Sequence, residues 1–215
     1  MRTRLLVALL LTAVLLPRAA FTQSDRTSRD NWQRVDDVVA ALDVQEGEVV
    51  ADVGAGSGFF TFRLSPHVGP DGRVLAVDID AGVLRELRDE AQHQGIDNIE
   101  TIVSEPDDPM LQEQSVDGIL VVNAYHEMEE HEAMLAWFRQ ALRPGGRLVI
   151  LDMPPRDSTL PRERQVSGHD IAIGLVVQDL VAAGFEVIEQ VSDFVTGRRQ
   201  RQWMLVAVLA PADRP

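Results

Sequence analysis

Two stretches of this sequence hold the residue types that chemistry requires, at spacings that restrict what the chemistry can be. The first is Asp52-Val53-Gly54-Ala55-Gly56-Ser57-Gly58, which ends one apolar run and precedes a helical pattern. Glycines there allow a tight turn and the close approach of a ligand to the main chain, and the amides that open the helix offer hydrogen-bond donors. A dinucleotide fingerprint, G-x-G-x-x-G, would put its third glycine at position 59, but that residue is Phe59 and the glycine comes one place earlier. The spacing disfavours a pyrophosphate, and with it a nicotinamide-dependent oxidoreductase. Asp78 stands twenty residues past Gly58 at the end of the next apolar run, where a carboxylate can accept both hydroxyls of a ribose. Together these positions ask for a nucleoside without a required phosphate. The plainer readings are a purely structural turn and an Asp78 that caps the helix beginning near Ala81.

The second stretch is Asn123-Ala124-Tyr125-His126-Glu127, which holds the one tyrosine of the chain and a histidine whose ring titrates near neutral pH. A later histidine, His169, sits in Gly168-His169-Asp170. With Glu127 and His131 these side chains are possible metal ligands. A helical zinc motif needs histidines four apart, whereas His126 and His131 are five apart, which turns the second about 140° away from the first. No metal is therefore expected, and Glu129, Glu130 and Glu132 read as the acidic first turn of a helix.

Composition removes other chemistries. There is no cysteine, so thiol nucleophiles, redox pairs and thiolate zinc sites are excluded. All 20 basic residues are arginine, which excludes a Schiff-base lysine and a Walker-type phosphate loop. The net charge of −14 would repel a phosphate backbone, and only Arg198, Arg199 and Arg201 cluster, so nucleic acid is not an expected partner. That short run reads as the solvated turn of a hairpin.

Residues 1–23 differ from the rest. Arg2 and Arg4 precede the apolar run Leu5 to Leu16, and Pro17, Ala19 and Ala20 follow, the order of an export signal. The run is too short to span a bilayer. Cleavage after Ala20 would place Arg18 where a small residue is preferred, so an uncleaved membrane anchor stays open. The expected location is outside the cytoplasm if the signal is genuine, and cytoplasmic if the start codon is mis-assigned.

The elements that must position these residues follow from periodicity. Val35, Val38, Val39 and Leu42 mark a helical face, and Val49 to Val53 reads as a strand buried on both sides. Strands are expected at Val74 to Val77, Ile99 to Val103, Ile119 to Val122 and Leu148 to Leu151, with helices near Phe59 to Leu64, Val83 to Ala91 and Met134 to Leu142. Five strands alternating with helices predict an α/β domain with a doubly wound parallel sheet over residues 24–215. After a helix at Leu175 to Ala183, Phe185 to Val191 and Trp203 to Leu209 are joined too closely for a helical crossover and should pair antiparallel. Residues 154–170 lack periodicity and read as a lid or binding loop.

With these motifs in order, the chain resembles the class I S-adenosylmethionine-dependent methyltransferases from about Asn31 onward, most strongly over residues 49–152. D-V-G-A-G-S-G matches the first family motif, A-V-D-I-D the second, and L-R-P-G-G-R-L-V-I-L-D the segment through the fifth strand. The resemblance implies a Rossmann-like, seven-stranded sheet, mostly parallel with an antiparallel last strand. It implies S-adenosylmethionine as cofactor, with Gly54, Gly56 and Gly58 cradling its methionine and sugar portions. Asp52 would serve the amino group, Asp78 the ribose and Glu105 the adenine amine, and Asn123 would begin the floor of the transfer site.

The stretch from Tyr125 resembles a Y-H-E variant of a bacterial subgroup that also carries a later histidine. On that likeness His126 is the expected base, and Tyr125 and His169 position a small-molecule acceptor enclosed by residues 154–170. A histidine that merely packs the loop is the alternative for His126. Absence of cysteine argues against the arsenic-methylating branch, which works through thiols. A binding protein that keeps the nucleoside pocket and transfers nothing is the alternative function; the acceptor and the oligomeric state are left open.

Overall fold

Val49–Val53 (β1) is buried at every position, as a strand needs to be when helices cover both faces of its sheet. The computed structural model describes residues 29–211 apart from 198 and 199, so the expectations for residues 1–23, and for Arg198 and Arg199, lie outside the described residues. A helical turn over residues 29–32 leads into α1 (Val35–Leu42). Then follow β1, α2 (Thr61–Val68), β2 (Arg73–Asp78), α3 (Ala81–Gln94), β3 (Ile99–Val103) and β4 (Val116–Val122). A 3-10 turn at Tyr125–Glu127 precedes α4 (His131–Ala141), β5 (Leu142–Asp152), α5 (Arg162–Val166), α6 (Ile173–Ala182), β6 (Phe185–Thr196) and β7 (Arg201–Leu209).

These strands form one seven-stranded sheet in the order β3-β2-β1-β4-β5-β7-β6. The pairs from β3 through β5 are parallel, while β7 runs antiparallel to both β5 and β6. This is the doubly wound sheet expected from the alternation, with β7 as the reversed strand. The order turns back between β1 and β4, and at such a point the chain leaves two neighbouring strands in opposite directions and opens a crevice.

Side-chain alternation divides the core between the two faces. Val49, Ala51, Val53, Ile119, Val121, Leu148 and Ile150 pack with Met134, Leu135 and Phe138 of α4 and with Val176 and Leu180 of α6. Val50, Leu120, Val149 and Leu151 point the other way, toward Val38 and Leu42 of α1 and Leu64 and Val68 of α2. Each large apolar side chain so buried contributes roughly 1.5–3 kcal/mol. On α3, Leu84 and Leu87 pack on Ala76, the Asp80 carboxylate accepts from the amides of Gly82 and Val83, and Gly95 closes the C-terminus. Asp80, and not Asp78, is therefore the cap of this helix.

Some boundaries differ from the sequence pattern. The helix expected near Phe59 to Leu64 begins two residues later and runs to Val68, with Pro66 inside it and Gly69 ending it. Pro144-Gly145-Gly146 lies within β5, because Leu142 pairs with Val116 before the turn and Arg147 with Gly118 after it. The last hairpin is longer than its apolar runs: Phe194 and Val195 return to the core beside α1 after the exposed Ser192 and Asp193. Residues 154–170 contain α5, pinned by buried Gln165, which donates to the carbonyl of Leu160 at 2.7 Å and accepts from the amide of Ala172 at 2.7 Å. Among the described residues no helix is long and apolar enough to cross a membrane.

Phe138 is fully buried where α4 meets the sheet. Phe138→Ala is expected to lower the unfolding free energy by ~3–5 kcal/mol in a denaturant titration; a loss below about 1 kcal/mol would contradict this packing.

Candidate active site

The chemistry-bearing residues gather at the C-terminal ends of β1, β2, β4 and β5, because the strands are buried along their length and only their tips can present polar groups to a ligand. The glycine turn leaves β1 with positive φ at Gly54, Gly56 and Gly58, at 75°, 52° and 80°. A Cβ on Gly54 would lie 2.4 Å from the Cβ of Ala124 in the loop after β4, so only glycine lets the two loops meet. A Cβ on Gly56 would meet nothing within 4 Å, so the backbone there borders open space.

Asp78 ties this turn to the neighbouring strand. Its Oδ2 accepts from the amide of Gly56 at 2.8 Å and its Oδ1 from the amide of Asp80 at 2.9 Å. Each carboxylate oxygen keeps a lone pair for a further donor. Val103 of β3 is in register with Asp78, and both Val103 and the adjacent Ile79 are exposed, giving an apolar surface beside the carboxylate. Glu105 follows β3, exposed, its amide donating to the carbonyl of Asp108 at 2.9 Å.

A cavity of about 190 Å³ opens over the turn, bordered by Arg29, Asp52, Gly54, Gly56, Phe59 and Asn123. Asp52 is buried, and its Oδ2 accepts from the Thr61 hydroxyl at 2.6 Å. Burial is the largest influence on it and pushes its carboxyl up to about 6, against the opposing hydrogen bond from Thr61. The Arg29 guanidinium stacks on the Phe59 ring at 3.6 Å, with Arg63 also 3.6 Å from that ring. Asn123 has a φ of 53° and accepts from Gln202 Nε2 at 2.6 Å. Gln202 Oε1 and Gln33 Nε2 are buried without a partner among the described residues, and both amides are bonded to residues of the cavity wall, Asn123 and Arg29. A broader apolar depression at Val177, Val181 and Ile188 belongs to the far edge of the sheet, at β6.

Beyond Asn123 the 3-10 turn sends its side chains in different directions. His126 is 3% exposed, its Nδ1 is 2.8 Å from Asp152 Oδ1, and its amide donates to Asp152 Oδ2 at 3.0 Å. Burial alone would lower the imidazole's pKa, but the hydrogen bond and charge of Asp152, with the charges of Glu127 and Asp170, outweigh it and hold the value above the usual one. His169, with a φ of 57°, brings its ring edge-on to His126 at 5.8 Å between centroids. Strained backbone at Asn123 and His169 thus frames the same end of the sheet.

Tyr125, expected to position an acceptor, is not brought to this group. It is buried, and its hydroxyl donates to Asp179 Oδ2 of α6 at 2.9 Å; Arg162 of α5 pairs with the same carboxylate, and His131 Nε2 lies 3.7 Å from its other oxygen. Burial first, and then the adjacent Asp179 charge, raise the phenol well above its ordinary pKa. The residues missed by sequence reasoning are Asp152, Asp179, Arg29, Thr61 and Gln202. Only Asp152 carried a signal, as the acidic end of an otherwise apolar strand.

Residues 50–146 match a sequence family described as a methyltransferase domain. A SAM-dependent methyltransferase from Aquifex aeolicus superposes with a TM-score of 0.71 at 26% identity, over 87% of this chain and 98% of that one. The architecture is the methyltransferase fold. Over 151 residues the chain is 29% identical to the arsenite methyltransferase of Halobacterium salinarum, covering 66% of this chain and 38% of that protein. It is 31% identical over 122 residues to the ubiquinone/menaquinone biosynthesis C-methyltransferase of Hahella chejuensis, covering 56% and 48%. The chain thus spans about half, or less, of these curated methyltransferases.

Ionising Asp52 costs the fold stability as pH rises from the ordinary value of 3.8 through about 6. Asp52→Asn is therefore expected to be more stable at neutral pH, by up to ~3 kcal/mol, with a flatter pH dependence in urea unfolding. A variant that is no more stable at neutral pH than at acid pH relative to the parent would contradict the burial of this charge.

Proposed function

We propose that this chain transfers a methyl group from S-adenosylmethionine to a small-molecule acceptor bound beside His126. The observation that carries the reading is the Asp78 carboxylate held 2.8 Å from the Gly56 amide, at the crevice where the strand order reverses. The residues present fit the nucleoside: open space borders Gly56, Asp78 has lone pairs for ribose hydroxyls, and Ile79 and Val103 supply an apolar surface for a flat base. The glycine turn with Gly54 and Gly58 shapes the cradle, and Glu105 stands beyond β3 as the acidic group for the adenine amine.

Asp52 and Arg29 border the same cavity with opposite charges, which suits the ammonium and carboxylate of an amino-acid moiety. When bound, S-adenosylmethionine supplies a methyl group on a sulfonium, activated for in-line displacement. The chain's part is to align the acceptor and to take its proton if it carries one. With Nδ1 donating to Asp152, His126 presents the Nε2 lone pair for that proton, and Asp152, itself fully buried, fixes the ring. His169 borders His126 from the segment 154–170, which stands over the acceptor side; Tyr125 serves it indirectly, by holding the turn to α6 through Asp179. The relatives that transfer methyl groups support this reading over a pocket without chemistry. One of them is an arsenite methyltransferase, but with no cysteine in this chain an acceptor held by thiolates is disfavoured.

Calorimetric titration is expected to show binding of S-adenosylmethionine and S-adenosylhomocysteine and none of NADH. Asp78→Ala should weaken the binding ~10–100-fold through loss of a charge-assisted contact, and Gly56→Val should abolish it by filling the cradle. Unchanged affinity in both variants would overturn the reading.

The same titration repeated across pH tests Asp52. Because the carboxylate is the form that suits a cationic ligand, affinity for S-adenosylmethionine should fall about tenfold per pH unit below about 6, and Asp52→Asn should bind weakly with no such slope. A parent curve that is flat through that range would remove Asp52 from the ligand's ammonium.

A further inference from the structure

We infer that His126, Glu127 and His169 form a binding site for a divalent transition-metal ion, of which zinc is the natural representative. His126 and Glu127 come from the 3-10 turn after β4, while His169 comes from the loop between α5 and α6, so only the fold assembles the three. Their candidate ligand atoms all lie within 4.8 Å of one another. His126 Nε2 is 3.7 Å from Glu127 Oε1, and His169 Nδ1 is 3.8 Å from that same oxygen. A tetrahedral ion with bonds of about 2.0–2.2 Å needs its ligands roughly 3.3–3.6 Å apart, so the two closer pairs need contract only a few tenths of an ångström.

Two further observations point to a ligand at this place. His126 is 3% exposed, yet its Nε2 makes no hydrogen bond among the described residues and has the Glu127 carboxylate 3.7 Å away. Its Nδ1 is taken by Asp152, which is fully buried and also accepts from the amides of His126 and Met153. A buried carboxylate on the far nitrogen is how metal-binding histidines are oriented and made more basic. Glu127 and His169 have side chains 63% and 74% exposed, so the site is open to solvent and an ion can enter. Two histidines and one carboxylate leave at least one coordination position free, the arrangement of an open site and not of a closed structural one.

The pairing of His126 with His131, which sequence spacing rules out, plays no part: His131 faces Asp179. The ion and the acceptor proton compete for one nitrogen. In metal-free protein Nε2 is free to accept a proton; with the ion bound, the free coordination position is the place for an acceptor heteroatom. This second role rests on the methyl-transfer reading, whereas the binding of the ion does not.

The test is calorimetric titration of the untagged, chelator-treated full chain with Zn²⁺, with Co²⁺ absorption spectra as a second readout. The expected result is one ion per chain and a visible Co²⁺ d–d band that reports histidine and carboxylate ligation. Glu127→Gln and His169→Ala, both at exposed side chains, should weaken binding by at least about tenfold, while His131→Ala should bind as the parent does. Absence of stoichiometric binding, affinity unchanged in Glu127→Gln and His169→Ala, or equal weakening in His131→Ala would overturn the site. S-adenosylhomocysteine titrated into the same metal-free protein reads the glycine-turn pocket separately. Binding of the nucleoside without zinc overturns the metal site alone, and binding of zinc without the nucleoside overturns the methyl-transfer reading alone.

Discussion

The strands at the centre of this sheet are buried on both faces, and a polar group placed within them would have to give up water without compensation. That constraint orders the rest of the molecule. Val49–Val53 is covered at every position, β4 is nearly so, and β5 is buried from Leu148 to Asp152. Polar chemistry is displaced to the strand tips, where Asp52, Asp78, Asn123 and Asp152 stand at one end of four neighbouring strands. Parallel pairing puts those tips together, and the reversal of strand order between β1 and β4 keeps the space above them from being filled by a connection.

The cost of this arrangement is visible at Asp52. Buried against Thr61, its carboxyl is held near 6, so the charge that suits a cationic ligand is also a charge the fold would be more stable without. Asp78 stands in a different environment. It is half-buried and accepts two backbone amides, so it links two strand ends and keeps capacity for a ligand. Two carboxylates at neighbouring strand tips thus do different work because one is buried and the other is half-buried.

The turn after β4 shows how little sequence separation decides placement. Tyr125 and His126 are adjacent, but the phenol goes to Asp179 and Arg162 on the helical side, while the imidazole goes to Asp152 at the tip of β5. The Tyr125 contact holds α5 and α6 to the turn, and through α5 it steadies the segment that delivers His169. Asn123 and His169 take left-handed backbone conformations at the two ends of this arrangement, which the surrounding hydrogen bonds and packing must maintain.

The sequence by itself determined the alternation of strands and helices, the antiparallel final hairpin, the glycine turn and the place of Asp78, because these depend on local periodicity and on the backbone freedom of glycine. The continuous burial of β1 was legible in five residues of which all but Asp52 are apolar. Other features were decided by tertiary structure. Asp80 and not Asp78 caps α3, Tyr125 turns to the helices, and Gln165 pins a segment that lacks periodicity. Asp152 meets His126 across 26 residues and His169 arrives from 42 residues beyond Glu127, separations over which no local pattern carries information. Such contacts arise when the sheet aligns its strand ends and the connecting helices carry loops over them, so their partners cannot be read until the chain has folded.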